Sequence, residues 1–346
     1  MSLFVPLEIV TEIVQHVLAD NVSVPKDENP SEIRSEKPPW RLVQPIIQLS
    51  HSYRLTALKL WFEYLYLKSA QDLKDIDSMF PELKRNWTKH LHCVQTQDSK
   101  DMQWDLSGFT LLTSVRIDWH HRQFSLISET VPGQKFVPFV NVEAPVNDLD
   151  IRGLRYPSPM VLDALTSSFR NLVSLKLQCL RIWCGLCHTC ALVQLSGTTS
   201  VELMYDDGFG LPVHYARVLS NLSALEDVHI SLPDVNAAYT MSDFFGSHTK
   251  QDAWAGECTR CMSIMYQDDD FKRSWTDRKR GIRPDDVPER GVYTKPPSLR
   301  KVHWNIWEYD PADPKMAYVK EELETDDEWL FASDFEDSDS MDIDEF

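Results

Sequence analysis

Six short segments in the later two-thirds of the chain alternate apolar and polar residues, most of them in a shared Leu-x-x-Leu-x-Leu-like frame. They are LTSVRIDW from Leu112, LDIRGL from Leu149, LVSLKL from Leu172, VELMY from Val201, LEDVHISL from Leu225 and LRKVHWNIW from Leu299. A period of two is the mark of a strand with one buried face. Their starts lie 37, 23, 29, 24 and 74 residues apart. Three of these intervals fall in the range of roughly 20–29 residues typical of strand-plus-helix solenoid repeats. Helix-like stretches, SPMVLDALTSSF and PVHYARVLSNL, precede the segments at Leu172 and Leu225. Strand plus helix per unit stacks into a parallel sheet with helices outside, each unit burying its apolar face on the next. The two long intervals hold insertions. No asparagine ladder marks the repeats, so an ordinary α/β sheet is the competing reading.

The N-terminal third follows a different period. Pro6 can open a helix, because its missing N–H would be unpaired there anyway, and Glu8 lies in the first turn, where the helix dipole favours a carboxylate. Ile9, Ile13 and Val17 recur at intervals of four beside Val10, Val14 and Leu18, which predicts one broad apolar face. Residues 24–39, charged and proline-rich, read as a flexible loop. A second helical region is expected from about Trp40 to Lys68, with Leu55, Leu58, Phe62 and Leu65 on one side. Two or three short helices make a small bundle that needs a partner or a following domain to close its core.

The string Val5-Pro6-Leu7-Glu8-Ile9-Val10-x-x-Ile13-x-x-x-Val17-Leu18 resembles the start of an F-box, and LSHSYRLTALKLWFEYLYL is similar to its third helix. Val5 departs from the usual leucine, and the loop after the first helix is longer than usual. Most of the chain also resembles a group of fungal F-box-like proteins, through a WDLSGF stretch, RIWCGLCHTC, GLPVHYAR and GECTRC in that order. The resemblance implies an α+β or α/β repeat architecture: an F-box-like bundle followed by an irregular leucine-rich-repeat-like solenoid with a cysteine-bearing insertion. The expected division is an F-box-like domain over 1–70, connecting helices over 71–105, the repeat domain over 106–318 with an insertion at 233–297, and an acidic tail over 319–346. It further implies that Pro6, Leu7, Ile9 and Ile13 dock on the SKP-type adaptor of a cullin-type ubiquitin ligase while the repeat domain recruits a protein substrate.

Cysteines supply the sharpest chemical signal. Cys184 and Cys187 form one C-x-x-C, with His188 and Cys190 directly after it, and Cys258 and Cys261 form a second. Each pair presents two sulfurs at one point, and four thiolates so placed suit a tetrahedral structural zinc. Cys190 or His188 are possible substitutes in that set. The insertion has little apolar periodicity, and a structural zinc supplies on the order of 10 kcal/mol toward folding such a segment. Two other readings stay open. Trp183-Cys184-Gly185-Leu186-Cys187 resembles a thioredoxin-type redox motif, with Leu186 in place of the proline, and buried free cysteines are ordinary core residues. Lys89-His90-Leu91-His92-Cys93 places ligand types on alternate positions, yet no carboxylate partner is evident nearby. It and His120-His121 read as structural or surface residues.

The net charge of −18 is mostly local, because 13 acidic residues and no basic ones lie between Glu321 and Phe346. That tail cannot bury enough apolar surface to offset its chain entropy and is expected to be disordered. It reads either as a solubilising extension or, through Trp329, Leu330, Phe331 and Phe335, as a dock for a basic partner. A basic cluster around Trp275 reads as a solvated helix face, a partner for that tail or a weak nuclear-import patch. The acidic balance argues against nucleic-acid binding. No apolar run reaches the roughly 18 residues of a membrane span, and the N-terminus lacks the basic region of a signal peptide, so a cytoplasmic or nuclear protein is expected. No phosphate-cradling loop or nucleophile elbow is present. The sequence thus predicts a non-catalytic, F-box-type substrate-recognition adaptor. The alternatives are a zinc-stabilised regulatory or scaffold protein outside any ligase, or a thiol-redox protein.

Overall fold

The computed structural model describes residues 6–19, 37–79, 86–96, 103–120, 137–154, 157–179, 182, 201–206, 210–234 and 295–308. Contacts cluster into one unit over 1–308 and another over 309–346, and all the described residues belong to the first. The tail, the loop 24–36, the cysteines at 184, 187, 190, 258 and 261, His188 and the basic cluster around Trp275 lie outside them.

Three helices come first: α1 (Leu7–Ala19), α2 (Trp40–Ile47) and α3 (His51–Phe62). Ser50 caps α3 by accepting from the Tyr53 N–H, filling one of the backbone donors a helix start leaves open. The helices close a small core of their own from Val10, Val14, Leu18, Val43 and Ala57, with Ile46, Ile47, Tyr53, Leu60 and Trp61 packed on it. Val10, Val14 and Leu18 recur every four residues, which stacks them along one helix stripe. A run of rings, Trp40 on Trp61 at 5.0 Å, Trp61 on Phe62 at 4.8 Å and Phe62 on Trp87 at 6.2 Å, leads from this cluster to the next.

The remainder is an eight-stranded sheet. Its strands are β1 (Tyr64–Leu67), β2 (His90–Thr96), β4 (Ser114–His120), β6 (Asp148–Leu154), β7 (Ser174–Cys179), β8 (Val201–Asp206), β9 (Asp227–Asp234) and β10 (Lys301–Glu308). Their spatial order is β1-β2-β4-β6-β7-β9-β10-β8, parallel throughout except for the antiparallel pair β10–β8. A small parallel pair, β3 (Trp104–Asp105) with β5 (Phe139–Val140), lies apart from it. Helix α4 (Ala70–Met79) follows β1, α5 (Pro159–Thr166) precedes β7, and α6 (Val213–Leu219) precedes β9 and packs on α5.

A repeating backbone device sets the register. The Glu63 carbonyl accepts from the N–H groups of Lys89 and His90, and the Lys89 carbonyl accepts from Thr113 and Ser114. The same two-donor bond then runs from Asn147 and Asp148 to Thr113, from Val173 and Ser174 to Asn147, from Glu226 and Asp227 to Val173, and from Arg300 and Lys301 to Glu226. From β2 to β10, each parallel strand start is thereby hung on the start of its neighbour. The residue just before most of these starts is buried: Thr88, Leu112, Val146, Leu172, Leu225 and Leu299.

With starts aligned, side-chain alternation segregates the two faces. Leu65, Leu91, Val115, Leu149, Leu175, Val228 and Val302 form one buried row, and Leu67, Cys93, Ile117, Ile151, Leu177, Ile230 and Trp304 the next. Val161, Leu162 and Leu165 of α5 and Tyr215, Ala216 and Leu219 of α6 complete this core. The WDLSGF stretch is scaffold: Trp104, Leu106 and Phe109 are buried, while the Asp105 carboxylate accepts from the Ser107 N–H before Gly108 turns at φ +79°. GLPVHYAR is scaffold too. The Tyr215 hydroxyl donates to the Pro157 carbonyl at 2.6 Å, and the Gly210 carbonyl accepts from Trp304 Nε1.

The chain is thus a mixed α/β protein with a mostly parallel sheet, and all six alternating segments carry strands. Three features differ from expectation. The helix expected to reach Lys68 stops at Phe62, and Tyr64–Leu67 is strand β1, because Leu65 and Leu67 enter the sheet core. The stretch 71–105, expected to be connecting helices, contains α4 but also strands β2 and β3. VELMY does not sit between LVSLKL and LEDVHISL: β7 pairs directly with β9, and β8 is antiparallel on the far side of β10. There β8 covers what would otherwise be the unpaired edge of β10.

Candidate interaction surface on the polar face of the sheet

Opposite the core, the same alternation builds a polar face. One row crosses all eight strands: Tyr66, His92, Arg116, Asp150, Lys176, His229, His303 and Met204. The row before it reads Tyr64, His90, Ser114, Asp148, Ser174, Asp227, Lys301 and Asp206. Apart from Met204, no aliphatic residue occupies either row.

The face has two regimes. Over β2 and β4 it is buried and tightly bonded. His92 Nε2–H donates to Asp118 Oδ2 at 2.7 Å, and Arg116 donates through Nε to Oδ1 at 2.8 Å and through its terminal nitrogen to Oδ2 at 3.0 Å. The His92 and Asp118 side chains are 0% and 4% exposed. Burial alone would raise the Asp118 carboxyl, but hydrogen bonds from His92 and Arg116, and their charges, hold it well below the usual carboxylate range. Tyr66 meets the His92 ring edge-on at 4.9 Å. Its phenol is raised by burial and by the Asp118 charge, against a smaller opposite pull from Arg116. His92 Nδ1 has no hydrogen-bond partner among the described residues. From β6 to β8 the face opens. Asp150 and Arg152 pair at 2.8 Å in a half-buried position, Lys176 is exposed, and the rings of His229 and His303 stack at 4.2 Å with planes 4° apart. Burial lowers the His229 imidazole, and His303 and Lys176 push it the same way against Asp227 and Asp150.

A second surface lies on α1. Val10, Val14 and Leu18 face inward, whereas Leu7, Ile9 and Ile13 are 52%, 45% and 47% exposed, and Pro6 is exposed just ahead of them. The single broad apolar face expected for this helix is in fact two stripes, Val10–Val14–Leu18 used internally and Ile9–Ile13 bare, with Leu7 in line with the inner stripe but exposed in the first turn. Such an apolar patch is the ordinary mark of a partner site.

His90, His92 and Cys93 lie on β2, with His92 on the polar face and Cys93 in the core, where burial raises its thiol well above the usual range. Sequence reasoning missed Asp118 as the partner of His92 because it sits 26 residues away and meets it only through the register of β2 with β4. Among the described residues, no group of three or more His, Cys, Asp and Glu is placed to hold a metal ion, and no helix is long and apolar enough to cross a membrane. A cavity of about 430 Å³ opens between residues 141–146 and 167–171, walled by Asn141, Glu143, Arg170 and Asn171. In comparisons with protein-family models, curated proteins and solved structures, nothing matches the chain.

Proposed function

We propose that the chain is a non-catalytic adaptor of the F-box type, which docks on an SKP-type protein through α1 and presents the polar sheet face to a protein substrate. The observation that carries this reading is the exposed pair Ile9 and Ile13, with Leu7 exposed in the first turn, on a helix whose Val10–Val14–Leu18 stripe is already buried in a three-helix core. Apolar anchors on one helix face are what a groove-binding helix needs, and truncating such anchors commonly costs about 2 kcal/mol or more each. Two features support a leucine-rich-repeat-like solenoid as the second half: strands added in chain order from β1 to β7, and strand starts hung on one another by a repeated bond. The His92–Asp118 pair matches a catalytic dyad in residue type, but its carboxylate is already taken up by Arg116 and it is buried, which favours a binding role for this face. Cys184, Cys187, Cys258 and Cys261 remain our candidate ligands for a structural zinc, on their spacing. A cytoplasmic or nuclear site of action follows from the proposed partners.

The test is co-purification with the SKP-type protein of the same organism, beside a Leu7→Asp/Ile9→Asp double variant. We expect a complex with the unmodified chain only, while both chains unfold at the same temperature, because neither side chain is part of the helical core. Failure of the folded, unmodified chain to bind, or undiminished binding by the variant, would refute the docking face.

A further inference from the structure

We infer that His229 and His303, with Met204 beside them, form a surface site for a late first-row divalent transition-metal ion. The inference concerns the open end of the polar face and does not rest on the ligase reading. Parallel pairing of β9 with β10 puts His229 directly opposite His303, and antiparallel pairing of β10 with β8 puts Met204 on the other side of His303. The three side chains occupy consecutive positions of one row, on the face away from the core. Both imidazoles are half-exposed and Met204 is 57% exposed. Among the described residues no hydrogen bond holds either ring; each is fixed only by stacking on the other. This contrasts with His92 in the same row, whose ring is buried and bonded to Asp118.

Imidazole suits zinc, nickel and copper, and a thioether adds affinity for the softer end of that series. Two imidazole nitrogens on one ion at about 2.0–2.1 Å each sit roughly 3 Å apart. The rings stack with centroids 4.2 Å apart and planes nearly parallel, so their in-plane lone pairs do not yet converge, and binding one ion requires each ring to turn about its own side-chain bonds. The turn gives up the stacking contact but breaks no hydrogen bond among the described residues. In the neighbouring row Asp227 and Asp206 add negative charge, offset in part by Lys301, which lies between them. Lys176, one strand further on, acts against a cation. The pair supplies only part of a coordination sphere, so water or a group from a bound partner completes it.

The cysteine pairs elsewhere in the chain would also take up metal, so the test must read the histidine rings directly. The probe is Ni²⁺, which is paramagnetic and does not oxidise thiols, titrated into the full chain labelled with ¹⁵N in histidine. We expect the ring signals of His229 and His303 to broaden together before those of the other histidines. In His303→Asn, the remaining His229 signal should need at least tenfold more Ni²⁺ to broaden. Met204→Leu tests the third donor and should weaken the effect by a smaller factor. The site would be overturned by His229 and His303 signals that persist while Ni²⁺ is taken up elsewhere, or by His303→Asn leaving the His229 response unchanged with the fold intact by circular dichroism.

Discussion

Replacing Asp118 with alanine isolates what the buried end of the polar face contributes. In the native sheet its two carboxylate oxygens take three hydrogen bonds of 2.7–3.0 Å, one from His92 and two from Arg116. The Arg116 and Asp118 side chains are 10% and 4% exposed, so the guanidinium cannot simply turn to bulk water when its carboxylate is removed. Breaking a buried pair by deleting one partner costs about 3–5 kcal/mol, most of it the penalty of a buried charge losing that counter-charge. That is a large share of the roughly 5–15 kcal/mol by which a domain is stable. Urea unfolding followed by tryptophan fluorescence would measure it, with Arg116→Ala and the Arg116→Ala/Asp118→Ala double variant completing a thermodynamic cycle. The double variant should cost clearly less than the sum of the two singles. A loss below about 1 kcal/mol for Asp118→Ala, or strict additivity in the cycle, would refute the claim that charge pairing holds this part of the face together.

Four further outcomes follow. Because the folded Asp118 carboxyl lies below its unfolded value of about 3.9, its contribution is fully present above that pH and is lost as the pH falls below it; acid unfolding should be shallower below pH 4 in Asp118→Asn than in the native chain. Gly153 turns at φ +82°, and a Cβ there would collide with the Trp119 backbone carbonyl, whereas Gly108 at φ +79° has open space around it; alanine at 153 should cost more than about 2 kcal/mol and at 108 only about 1 kcal/mol by thermal unfolding. Ser158→Ala removes the cap that accepts from the Val161 N–H at the start of α5 and should cost about 1 kcal/mol in urea. Cys93 and Cys179 are buried, with thiols raised by burial, so iodoacetamide should label neither in the folded chain and both after unfolding, as read by peptide mass spectrometry.

The sheet was legible in the sequence wherever one of its faces is polar. DLDIRG and SLKLQC alternate cleanly because their polar positions reach an open or half-open face, and SVRIDW because its buried positions on that face are the paired charges Arg116 and Asp118. Strand β2 was legible only in its first half, where His90 and His92 alternate with Leu91 and Cys93; Val94 on the polar face and Gln95 on the core face then reverse the pattern. Tyr64–Leu67 was misread as helix because Leu58, Phe62 and Leu65 continue a helical spacing across the point where the chain changes state. The edge position of β8 had no local signal, since it depends on β10, nearly 100 residues later. For the candidate sites, the residue types on α1 were readable but not their split into two stripes, which only the packing of α2 and α3 decides. The polar row was hidden for another reason: no two of its members are close in sequence, and the register that aligns them comes from backbone bonds.

Those backbone bonds also decide what the chain can tolerate. Each strand start is located by the carbonyl of the strand before it, so the length of the excursion between them hardly enters. The excursions between hung positions run from 24 residues (Lys89 to Thr113) to 74 (Glu226 to Arg300), and on loop-closure grounds that threefold difference costs only about 1 kcal/mol. The architecture therefore behaves as a rack: segments of very different size and chemistry can be hung between two fixed pegs without disturbing the row of side chains on the open face. Variation in sequence and length can accumulate in the excursions while the rack stays the same.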